Sequence, residues 1–121
     1  MTRLRQKIYR KNKATQGLLL DLLAKTRETG QPVWKTLAKH LAAPTRQQRR
    51  VNLDELNGYT DEHILVVPGK VLGSGRLKAE GLTVAAHKFS DSAQEAINKT
   101  GQALSIEELL ENAEKPLQII G

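Results

Sequence analysis

Apolar positions in this chain recur first at helical spacing and later as short β-branched runs. From Thr15 onward, Leu19, Leu22, Leu23 and Thr26 fall on one helical stripe with Leu18 beside them, and Gly30 stands where a C-terminal cap belongs. Pro32 suits the first turn of a second helix, because its missing N–H has no helical partner there in any case. Val33, Leu37 and Leu41 would face inward along it, and Ala43-Pro44 ends it. Beyond a basic linker at 45–50, Val51-Asn52-Leu53 alternates as a short strand, and 54–57 predict a helical turn closed by Gly58. His63–Val67 is apolar and β-branched, which predicts a buried strand stopped by Pro68-Gly69. A glycine-punctuated loop over 68–75 follows, then a second apolar strand at 82–86. Ser90 is an N-cap for a helix through about Thr100, with Ala93, Ala96 and Ile97 inward and Gly101 ending it. Ser105-Ile106-Glu107-Glu108 matches a capping box, so a short helix is expected to about Ala113, and Leu117–Ile120 reads as extended. The order is two helices, then mixed strands and helices: an α/β chain with a single domain over 15–121 and an arm over 1–14.

Composition narrows the chemistry. The chain has 121 residues, no cysteine and few aromatics, which excludes disulfides, thiolate metal sites and thiol nucleophiles and leaves few rings for stacking. No apolar run is long enough to cross a membrane, and 3–13 are too charged for a secretory signal, so an intracellular chain without a membrane partner is expected. Charge changes the picture most. The formal net is +6, yet residues 1–50 hold 13 Lys/Arg against two acids, and 51–121 hold six against 11. Such a division is the footprint expected for binding a polyanion, although a solvated basic surface would look the same by charge alone.

Two segments concentrate the candidate phosphate contacts. The arm carries Arg3, Arg5, Lys7, Arg10, Lys11 and Lys13 with no acid. The second segment carries Lys35 and Lys39 on the second helix and Arg46, Arg49 and Arg50 on the linker, which together would form one patch. Arginine grips phosphate with a planar fork, whereas lysine acts as a point charge. Lys70, Arg76 and Lys78 accompany the glycine-rich loop, whose exposed N–H groups would approach a backbone; equally, its glycines serve tight turns. The lysine follows the wrong glycine for a P-loop, so no nucleotide site is expected. Trp34 is spaced for interior packing, and Tyr9 sits in the arm where stacking on an unpaired base is open to it. His40, His63 and His87 are too dispersed to suggest a metal site, and Ser74 has no general base nearby in sequence. No cofactor, metal, small-molecule substrate or catalytic residue is therefore assigned, and the chain is not expected to be an enzyme.

Three patches together resemble the "L-eighteen-e" family of archaeal and eukaryotic large-subunit ribosomal proteins, relatives of the bacterial L-fifteen family. They are Val33–Leu41 followed by Pro44, Arg46, Arg49 and Val51-Asn52-Leu53; then Val66–Gly75; then Thr83–Ala86 with Phe89-Ser90, Ser92-Ala93 and Ile97. The resemblance implies an irregular superhelix of β-β-α turns behind the helices. It also implies a structural role in the cytoplasmic ribosome, with large-subunit rRNA and neighbouring ribosomal proteins as partners. The alternative from another class is a helix-turn-helix DNA regulator built on helices near 15–29 and 32–41, with Lys35, Lys39 and His40 facing a groove. That reading places the strongest basic cluster outside its second helix and leaves 63–101 unexplained.

Overall fold

The helices that begin the described chain meet where glycine allows a sharp exit. In the computed structural model, which describes residues 13–42, 49–111 and 116–120, α1 spans Lys13–Thr29 and α2 spans Pro32–Ala42. Gly30 adopts φ 70, a left-handed conformation that costs other residues energy, and its N–H closes on Thr26 O at 2.9 Å. The two helices pack on each other through a stripe that is buried on both: Leu18, Leu19 and Leu22 on α1, and Trp34, Leu37, Ala38 and Leu41 on α2. The α2 set falls at i, i+3, i+4 and i+7, one helical face. Trp34 therefore takes the interior place as its spacing suggests, whereas Val33, expected inward, is only half-buried. The indole N–H donates to Gln31 Oε1 at 3.0 Å, so its burial leaves no polar group unpaired. α1 starts at Lys13, two residues before the pattern predicts.

Contacts divide the chain into two units, Met1–Gln48 and Arg49–Gly121. The second holds a five-stranded sheet in which every described pair is parallel. Its strands are β1 (Arg49–Asn52), β2 (Ile64–Leu72), β3 (Thr83–Phe89), β4 (Gln102–Ser105) and β5 (Leu117–Ile119). A 3-10 segment, Leu53–Gly58, follows β1; α3 (Asp91–Thr100) joins β3 to β4, and α4 (Ile106–Glu111) follows β4. Strands β2 and β3 followed by α3 reproduce the β-β-α order that the resemblance implies. Ser90 caps α3 through Ala93 N at 3.3 Å. The Ser105 capping box also forms, with Glu108 N donating to Ser105 Oγ at 3.1 Å and Ser105 N to Glu108 Oε1 at 3.3 Å.

One core fills the space between one sheet face, the 3-10 segment and α3. Leu65, Val67 and Val71 of β2, Val84 and Ala86 of β3, Leu53 and Leu56, and Ala93 and Ile97 all belong to it. Burial on both faces is the rule for parallel strands, and Ile64–Gly69 of β2 is buried at every position.

The expected stop at Pro68-Gly69 is corrected: β2 continues through both residues to Leu72, so most of the anticipated 68–75 loop is strand. Proline in an interior strand normally removes a ladder hydrogen bond. Here it falls between partners on both sides. On one edge β5 pairs with Ile64–Val66 and β1 with Gly69–Leu72; on the other, the register with β3 shifts between Val67 and Lys70. Pro68 and Gly69 thus stand opposite the single residue His87, a bulge that asks nothing of the missing N–H. β4 is a second departure, since residues after Gly101 were read only as a helix exit.

Candidate nucleic-acid interface

The sheet register brings cations together that lie far apart in sequence. Arg50 of β1 pairs with Lys70 of β2, and Lys70 pairs with Lys88 of β3. All three side chains are exposed. Adjacent strands lie about 4.8 Å apart and registered residues share a face, so three positive groups form a row across the strands. The next row, Val51, Val71 and Phe89, packs into the core and fixes the position of the first. None of the three cations is ion-paired among the described residues. Arg50 and Lys70 were expected as phosphate contacts; Lys88 was not. It lies two residues beyond the strand expected at 82–86, and only the strand register reveals its neighbours.

A second basic group lines an open cleft of about 300 Å³ between the 73–82 connection and α3. Arg76, Lys78 and Lys99 stand at its walls with Glu80, over an apolar lining that includes Leu53, Leu77, Ala79 and Ala96. Asn57 holds the connection in place. Its Nδ2 donates to Arg76 O at 2.8 Å, while its Oδ1 accepts from Lys78 N at 2.6 Å and Ala79 N at 3.0 Å. Those two N–H groups are therefore engaged within the fold. The side chains of Arg76 and Lys78 are exposed, and Lys99 joins them from α3, which the sequence did not indicate.

On the helical unit, Lys39 is exposed and Lys35 half-buried, one turn apart on α2. Lys13 is exposed at the start of α1. The Lys25 ammonium lies 5.9 Å from the centroid of the Trp34 ring, a cation–π contact that gives this lysine a packing role. Arg49 contributes its backbone to β1. Arg3, Arg5, Lys7, Tyr9, Arg10, Lys11 and Arg46 lie outside the described residues.

Residues 33–103, from α2 into β4, match the model of a family described as the ribosomal proteins 50S-L15 and 50S-L18e together with their 60S counterpart. The chain belongs to this ribosomal protein family. It is a family of ribosomal proteins, not of enzymes, and the match covers Lys35, Lys39, the strand row and the cleft cations alike. The chain is 42% identical over 113 residues to the large ribosomal subunit protein eL18 of Methanococcus maripaludis, covering 92% of each. It is 41% identical to that of Haloarcula marismortui over 84% of this chain and 87% of the relative. With the Methanothermobacter thermautotrophicus protein it shares 35% identity over 95% of this chain and 98% of the relative. The resemblance carried by the three sequence patches is thereby established across nearly the whole length.

Proposed function

We propose that this chain is a structural constituent of the large ribosomal subunit, binding and stabilising its rRNA in the cytoplasmic ribosome beside neighbouring ribosomal proteins. The observation that carries the reading is the family match over 33–103, with relatives aligned over nearly their whole length that bear the name of a large-subunit protein. The physical basis is phosphate neutralisation with release of condensed counterions, together with fit of a rigid sheet unit to RNA shape. The proposed phosphate contacts are Arg3, Arg5, Lys7, Arg10, Lys11 and Lys13 of the N-terminal segment, with Lys35, Lys39, Arg46, Arg49, Arg50, Lys70, Arg76 and Lys78. Both units thus act on the same polyanion.

Sedimentation tests the reading directly. The native protein is expected to travel with large subunits through a salt-washed gradient, and its absence from those particles overturns the proposal. For the isolated protein on large-subunit rRNA, neutralising about six phosphates gives a plot of log K against log salt with a slope of about −4. A flat plot is incompatible with a polyanion-binding role.

A further inference from the structure

We propose that Arg50, Lys70 and Lys88 form a single binding site that holds consecutive phosphates of one RNA strand laid across the sheet. The inference rests on the rRNA-binding reading and adds to it the place, direction and composition of one contact. Three observations support it.

The first is geometric. The three residues come from β1, β2 and β3, and the pairing places them in one row at right angles to the strands. A row with the regular spacing of a sheet matches a ligand with regularly spaced negative charges. The second is energetic. Like charges directly opposite each other in a sheet are destabilising, and no acid among the described residues is ion-paired to any of the three. The free protein therefore carries an electrostatic cost that a bound polyanion removes. The third is rigidity. The residues that follow in each strand, Val51, Val71 and Phe89, are packed in the core, so the row is positioned before RNA arrives.

The test uses the full chain and large-subunit rRNA from the same cells. Arg50→Gln, Lys70→Gln and Lys88→Gln are each expected to weaken binding roughly five-fold at 0.1 M salt, and to reduce the salt slope by about 0.7. Combining all three reduces the slope by about 2, and Lys88→Arg keeps the wild-type slope. Phosphate ethylation interference adds position. Each neutral variant is expected to relieve interference at one phosphate, and the three phosphates are neighbours on one strand. Thermal unfolding of the free variants distinguishes this from a structural role, because removing mutual repulsion holds or raises Tm. Wild-type affinity in the triple variant, or relief at phosphates scattered over separate strands, overturns the row while leaving rRNA binding intact. Failure of the wild-type chain to bind this rRNA overturns the functional reading itself, and the row with it.

Discussion

Gly101 shows how a single position can answer to two demands. In the sequence it marks the end of a helix, and its N–H does close α3 onto Ile97 O at 2.9 Å. The tighter demand is steric. A Cβ at this position would run into the backbone carbonyl oxygen of Leu82, with Leu82 N only 2.9 Å away. The close approach has a purpose, since the next residue, Gln102, donates its N–H to Leu82 O at 3.0 Å and starts the pairing of β4 with β3. Backbone cannot move aside as a flexible side chain can, so Gly101→Ala is expected to cost about 1–3 kcal/mol. A urea midpoint equal to wild type would show that the strand start can shift to make room. Asn57 is a comparable case of hidden burden. It reads as one more polar residue in a turn, yet it secures three backbone groups 19 to 22 residues away. Long-range satisfaction of this kind leaves no local trace in a sequence. Trp34 was legible because its role is local, a place on a helical stripe and an i−3 hydrogen bond.

At the scale of elements, caps and periodicity carried most of the information. Gly30, Ser90 and Ser105 mark their helices correctly because capping depends on residues within one turn. Ser105→Ala removes the acceptor for Glu108 N at the start of a six-residue helix. The expected loss is about 1 kcal/mol, read from the shift in Tm, and Ser105→Asp is expected to recover most of it. Equal stability of the alanine and wild-type proteins would mean that the buried Ile106 and Leu109 alone hold α4 in place. Two strands escaped the sequence for different reasons. β4 is four residues long and only Leu104 within it is fully buried, too little for an alternating pattern to register. The second half of β2 was hidden by Pro68-Gly69, which normally stops a strand and here occupies a bulge between partners. That difference also decided the site. With 68–75 taken as loop, Lys70 stood beside Arg76 and Lys78; as strand, it stands between Arg50 and Lys88, with Arg76 and Lys78 at a separate cleft. The candidate cations were readable from charge, but their grouping depended on strand register.

For the molecule as a whole, the order of strands within the sheet differs from their order along the chain. β5 follows the other four in sequence but sits against the first half of β2, on the edge whose other half belongs to β1. Ile64 N donates to Pro116 O at 2.9 Å and Ile120 N to Val66 O at 3.0 Å, extending the ladder on either side of β5. A chain cut after Pro116 loses this ladder and the buried Ile120 side chain, the latter worth about 1.5–3 kcal/mol. It also bares the backbone of Ile64–Val66, three buried apolar residues. Such an edge invites pairing with another chain, so the shortened protein is expected to lose stability and to aggregate on warming, as light scattering would record. A truncated protein that stays monomeric and melts with the full chain would show β5 to be dispensable. During synthesis the same arrangement fixes a moment of maturity. Until residues 117–120 have left the exit tunnel, the nascent polypeptide presents an unfinished seam to every neighbour in a crowded cell, and only their emergence lets the seam be sewn shut.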